Sequence, residues 1–192
     1  MRVHRSLIWF AVLALVAAAS PPAFARFERL IDANCSDESD CYYWRPKLAA
    51  FPGWHLEEEA SKLLLGNALV PDGSNYDGAK TVIYVSAIEK SRVEGEANTI
   101  ADYIAIDRDD IIRNWPGTIV ANAPALKVGT RRMLKTQTFA PIAGAQNHWE
   151  RTAYDKQGRF FVRFTLSADS QAGLAAGVRD FERLVAAYKV KP

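Results

Sequence analysis

Little in this chain points to reaction chemistry. Only three histidines, two cysteines and two methionines stand among its 192 residues. Beyond residue 25 the histidines reduce to His55 and His148, far apart in sequence. A transition-metal site needs His, Cys, Asp or Glu at ligand spacing, and no such group occurs, so no metal is expected. G-x-S-x-G and Ser-x-x-Lys are absent past the leader. So are Gly-Lys-Ser/Thr and a G-x-G-x-x-G following a strand, which leaves no nucleotide or other cofactor to expect. A Ser/His/Asp set assembled only in three dimensions stays open, because such triads are defined by geometry.

An excess of one charge is missing as well. Arg2 and Arg5 account for two of the 24 basic residues, so the chain beyond residue 25 carries 22 bases against 22 acids. A near-neutral domain has no global electrostatic reason to bind nucleic acid or an anionic membrane.

The one long apolar run lies at the start. Arg2 and Arg5 precede an apolar stretch over residues 7–19, which Ser20-Pro21-Pro22 ends, and Ala23-Phe24-Ala25 supplies a small-residue cleavage site. That order is the plan of a secretory signal peptide, and a membrane-spanning helix would need roughly 20 apolar residues. Cleavage after Ala25 is expected. Arg26 rather than a cysteine then stands first, so no lipid anchor is expected and the product is periplasmic or secreted. Removing 25 of the 192 residues leaves 167, the size of one domain.

An oxidising compartment favours a disulfide between Cys35 and Cys41. Redox catalysis is the sharper alternative. Five residues separate the two, however, and Asp37, Glu38 and Asp40 would raise a thiol's pKa and disfavour a thiolate. The bridge reads as a local staple of an N-terminal arm, residues 26–50, before a single domain over residues 51–192.

Within that domain, residues 54–58 and 62–69 are expected as short strands, followed by a loop rich in Gly, Asp and Asn. This loop, Asp72 to Gly78, resembles a calcium loop only superficially: an EF-hand needs an acid at its twelfth position, where Ile83 stands. Residues 81–88 form the strongest strand and are apolar on both faces, which requires cover on both. Residues 99–115 turn to helical period through Ile100, Ile104, Ile111 and Trp115, with Tyr103 at the border of the stripe. Thr99 and Asp102 give a capping signal, a break near Asp107 is conceivable, and Trp115-Pro116-Gly117 is a stop.

Strands follow at 118–121 and 131–139. A hairpin over residues 148–154 and 159–166 places Phe160, Val162, Phe164 and Leu166 on one face, with Arg163 and Thr165 on the other. Asp169 or Ser170 caps a last helix striped by Leu174, Val178, Phe181, Leu184, Val185 and Tyr188. The short connections favour a mainly antiparallel α+β sheet, in an α/β/α three-layer arrangement with helices on both faces.

Pro52-Gly53-Trp54, the strand at 81–88, the helix ending at Trp115-Pro116-Gly117, the hairpin into residues 160–167 and the terminal Phe181-Glu182-Arg183-Leu184-Val185 with Tyr188 together resemble the PsbP/Mog-type fold, including bacterial DcrB-like envelope proteins. The likeness spans residues 50–189 and rests on the order of elements. It implies an antiparallel sheet flanked by helices and an accessory or binding role, and it transfers no functional residue.

Lys127, Arg131, Arg132, Lys135, Arg151, Lys156, Arg159 and Arg163 are the local charge feature. Of these, Arg131, Lys135, Arg151 and Arg163 are candidates for a basic binding surface, against the alternative of a solvated face paired with nearby acids. The expected function is an exported binding or accessory protein of the cell envelope, meeting an envelope protein or glycan. The alternatives are a small periplasmic hydrolase using His148 with a nearby carboxylate or serine, and a structural protein without a dedicated ligand.

Overall fold

A computed structural model describes residues 27–32, 41–129, 132–143, 145 and 147–188. The leader, Cys35 and Arg131 lie outside these. The described residues form a nine-stranded, entirely antiparallel sheet with three α-helices, an α+β fold as expected.

Its centre is the hairpin of β8 (Trp149–Gln157) and β9 (Phe160–Ala168), with β5 (Thr81–Glu89) against the other side of β9. Beyond β8 lie β7 (Arg132–Pro141) and the edge strand β6 (Thr118–Val128). The far edge of β5 is shared. β4 (Asn67–Pro71), which also pairs with β3 (Trp54–Leu56), takes its first half, and β2 (Tyr42–Pro46), the inner strand of a hairpin with β1 (Phe27–Ile31), meets it at Ala87. Asn67 stitches the junction, its Nδ2 donating to Pro46 O at 2.8 Å and Val85 O at 3.3 Å. A side chain at Gly66 would stand 3.0 Å from Val85 O, so a glycine lets the backbone pass.

Four local readings change. Residues 26–50, expected as an arm, contribute two sheet strands. Residues 62–69, expected as one strand, split into the end of α1 (Glu58–Leu63), a turn and β4. The strand expected at 118–121 runs on through Pro124, which is tolerated because β6 is an edge strand with a register shift between Ala123 and Leu126. Thr136 Oγ1 serves the bulge, donating to Ala123 O and Pro124 O at 2.9 and 2.8 Å. The hairpin turn contracts to Gly158 and Arg159, with Gly158 at φ +57°.

Strand alternation gives the sheet two unlike surfaces. Even-numbered residues of β9 (Phe160, Val162, Phe164, Leu166) join Ile83, Val85 and Ala87 of β5 in the main core, beneath Phe181, Leu184 and Val185 of α3 (Gln171–Ala187). The cap of α3 is Ser170, whose Oγ accepts from Gly173 N at 3.1 Å. Odd-numbered Phe161 and Arg163 instead meet α2 (Ile100–Asn114), where Tyr103 stacks on Phe161 with ring centroids 4.8 Å apart. The helix runs unbroken past Asp107, and Thr99 and Asp102 form the full capping box.

Candidate functional site

The surface of the sheet that meets α2 is polar where it is not covered. β5 brings Tyr84 and Ser86 to it, β9 brings Arg163, Thr165 and Ser167, and β8 brings Glu150, because alternation commits every second residue to one side. Two cavities of about 500 and 270 Å³ lie along this floor and share Ser86 and Arg163, so they form one groove. Its walls are α2 with Trp115 on one side, and Leu64 and Leu65 from the turn after α1 on the other.

Arg163 is the fixed point of the groove. Its Nη1 donates to Oδ1 of the buried Asp107, whose Oδ2 accepts from the Tyr154 hydroxyl at 2.8 Å. Burial alone would lower the guanidinium pKa, but the Asp107 carboxylate beside it, with Tyr103 and Glu150, raises it overall. The side chain is still 36% exposed, and among the described residues Asp107 is its hydrogen-bond partner. A guanidinium has five N–H donors, so the same residue is both clamped to α2 and turned toward the groove. Tyr154 is held protonated by burial and then by Asp107, and burial pushes Tyr103 up to about 12.

Toward the C-terminal end of α2 the groove carries a second constellation. His148 stacks flat on Trp115, with centroids 4.2 Å apart and planes 2° from parallel, and its Nε2 lies 3.1 Å from Glu150 Oε1. Both side chains are half-buried, at 17% and 12% exposure. Burial raises the Tyr84 pKa, reinforced by the Tyr76 hydroxyl at 3.3 Å and by Glu150. Glu150 thus faces a histidine, an arginine and a tyrosine, with Asn114, Thr165 and Ser167 around it.

The candidate basic surface of Arg131, Lys135, Arg151 and Arg163 is not brought together among the described residues, and Arg131 lies outside them. Arg151 points the other way, buried against α3 with Nη1 donating to Glu182 Oε1 at 2.8 Å. Lys135 is exposed beside Ala101 and Ile104, and Arg163 lines the groove. Register puts Arg151, opposite Leu166, on the α3 face, whereas Lys135 and Arg163 both pair with Tyr154 on the α2 face, two strands apart with Tyr154 between them.

Cys41 is buried and no described cysteine is free, while its expected partner Cys35 lies outside the described residues. His55 is exposed, between Glu57 at 3.8 Å and Asp72 at 3.4 Å. In the loop read above against calcium, Asn75 Oδ1 accepts from Gly78 N and Ser74 Oγ donates to Pro71 O, the contacts of a tight turn. Among the described residues no group of three or more His, Cys, Asp or Glu is placed to hold a metal.

Sequence reading noted Asp107 only as the place of a conceivable helix break, and it put His148 with a nearby carboxylate or serine without naming Glu150. Two signals were available. Asp107 falls in the helical stripe between Tyr103 and Ile111, and after Phe161 one face of β9 is polar at Arg163, Thr165 and Ser167 although its other face is wholly apolar.

No family model matches the chain, and no curated protein does. Among solved structures it is similar to a Pseudomonas aeruginosa protein of unknown function, PA94, at 10% identity and TM-score 0.48 over 87% of this chain and 99% of that one. It is also similar to the cyanobacterial PsbP protein CyanoP of Synechocystis sp. PCC 6803, at 9% identity and TM-score 0.45 over 92% and 99%. A third likeness is to LpqN of Mycobacterium tuberculosis, described as involved in cell envelope biogenesis, at 11% identity and TM-score 0.44 over 74% and 80%. A PsbP protein is therefore among the structural neighbours, in line with the resemblance read from the order of elements. These values describe a likeness in arrangement and specify neither ligand nor activity.

Proposed function

We propose that the chain is an exported binding or accessory protein of the cell envelope, and that the groove between α2 and the sheet is where it binds. The observation that carries this reading is the convergence of Arg163, Glu150 and His148 on a half-open polar floor, opposite a sheet surface that is fully packed. A merely structural domain gains nothing by holding such groups half-exposed, since each is costly to remove from water. In this reading α2 and α3 are the outer layers of a three-layer fold, the leader is removed after Ala25, and Cys35 pairs with Cys41 to staple the β1–β2 hairpin. No helix among the described residues is long and apolar enough to cross a membrane.

The test has two parts. Expressed with its leader in a bacterium, the protein should be recovered from the periplasm or medium with Arg26 as its first residue, and recovery in the cytoplasm with residues 1–25 intact refutes export. The purified protein is then titrated with fractionated envelope glycan and envelope lipid while tryptophan fluorescence reports on Trp115 and Trp44, which line the groove. A saturating change supports groove binding, and an unchanged spectrum with every fraction contradicts it.

The hydrolase reading is favoured by one observation, the 3.1 Å contact of His148 Nε2 with Glu150 in a cleft that also holds Ser86, Thr165 and Ser167. Turnover of an ester, amide or glycoside substrate that is lost in His148→Ala would establish it, and no turnover across such a panel would remove it.

A further inference from the structure

The groove's own chemistry narrows what it holds. Its donors and acceptors alternate: Arg163 and Asn114 offer N–H groups, Glu150 accepts, and Tyr84, Ser86 and Ser167 carry hydroxyls that do both. Arg163 is bracketed by two carboxylates, Asp107 in hydrogen-bond contact and Glu150 close enough to influence its charge. The charges along the groove are largely paired off, Arg163 with Asp107, Glu89 with Arg159 and Asp110 with Arg113, while Arg92 and Glu94 both line it, so neither an anion nor a cation meets a large excess of opposite charge. An apolar ligand would strip water from Arg163 and Glu150 without replacing their hydrogen bonds.

A neutral ligand rich in hydroxyl groups satisfies all of these, because each hydroxyl donates to a carboxylate and accepts from a guanidinium or amide at once. An aromatic ring stands at each end of the groove for C–H groups to meet: Trp115, which stacks on His148, and Trp44. The two joined cavities span the size range of small-molecule sites and extend as a channel rather than a closed pit.

We propose that the groove takes a neutral oligosaccharide, a segment of uncharged glycan lying across Arg163 with its hydroxyls shared between Glu150 and the Arg163 guanidinium. The proposal rests on the groove being the binding face, and it adds the class of ligand.

Calorimetric titration of the full protein with chitotetraose and maltotetraose tests it, beside tetragalacturonate as an anionic oligosaccharide and palmitate as an apolar carboxylate. At least one neutral tetrasaccharide should bind, and Glu150→Gln should weaken that binding by about tenfold or more, since an acceptor for charged hydrogen bonds is lost. Asn114→Ala, on the exposed end of α2, provides a second loss that does not depend on Glu150→Gln folding. Met133→Ala, on the exposed surface of β7, should leave the affinity unchanged. If tetragalacturonate or palmitate binds with the same Glu150 and Asn114 dependence and neither neutral tetrasaccharide does, the ligand class is wrong while the groove reading stands. If no probe binds, or binding ignores both variants, the proposal is overturned. An unchanged tryptophan signal with all envelope fractions would separately overturn the groove reading.

Discussion

The two surfaces of the central sheet come from the same strands and have opposite characters. Along β9, Phe160, Val162, Phe164 and Leu166 are buried under α3 with nothing left to solvate, while Arg163, Thr165 and Ser167 face the groove. The first arrangement is a packed core whose energetics follow area and shape. The second places a clamped ion pair and a histidine–carboxylate contact where water still reaches them. The main apolar core lies on one side of the sheet, where Arg151 is paired with Glu182, and the polar groups that water reaches lie on the other, so substitutions should separate the two.

The largest effect is expected on the packed side. Phe164→Ala removes a fully buried ring and should lower stability by about 3–5 kcal/mol, read from the urea midpoint. A loss below 1 kcal/mol would mean that this side is not the main core.

On the groove side, Asp107→Ala leaves the Tyr154 hydroxyl and the Arg163 guanidinium without their shared acceptor. Water reaches the 36% exposed Arg163, so the loss should be about 2–3 kcal/mol rather than the full cost of stranding a buried charge.

Alkaline titration sharpens the contrast without a substitution. Tyr103 is held protonated to about 12, and Tyr154 is raised with it, against an unfolded tyrosine near 10. Between those values the unfolded chain has lost protons that the folded chain keeps, so stability is full below pH 10 and falls as pH rises toward 12. Circular dichroism in urea at pH 9 and pH 11 checks the fall, and hydrogen exchange should show α2 opening before α3.

Smaller effects concern the helices. Gly177→Ala on α3 would place a methyl 2.8 Å from Leu166 Cδ1 and 2.9 Å from Thr81 Cγ2. Overpacking should cost about 1–3 kcal/mol and outweigh the ~1 kcal/mol gain in helix propensity. Thr99→Ala removes the hydroxyl that accepts from Asp102 N at 3.2 Å and should cost about 1 kcal/mol. Both are read from thermal midpoints, and a stabilised Gly177→Ala would show that Leu166 and Thr81 leave room for the added methyl between α3 and the sheet.

What the sequence reveals follows the same division. The packed side is legible because its signals are local and periodic: the alternation of β9 and the stripe from Leu174 to Tyr188 appear before any contact is known. The capping box is local too. The β1–β2 hairpin was not legible, since residues 26–50 are mixed in polarity and their strands are defined by pairing with each other and, at Trp44, with Ala87 far along the chain. Nor were the last residue of α1 and the turn after it, where Leu63, Leu64 and Leu65 read as strand residues but are exposed, the latter two walling the groove. The groove needs β5, β8, β9 and α2 in one place, and its key acid lies inside a helix otherwise read for its isoleucines.

On the proposed function, the polar side of the sheet binds and the packed side does not. Amide chemical-shift mapping of the full protein with the neutral tetrasaccharide tests it most directly. The shifts should centre on Ser86, Asn114, Glu150, Arg163 and Thr165, with α3 unmoved. Shifts confined to α3 or to the β6 edge, or a spectrum unchanged at saturating ligand, would contradict it.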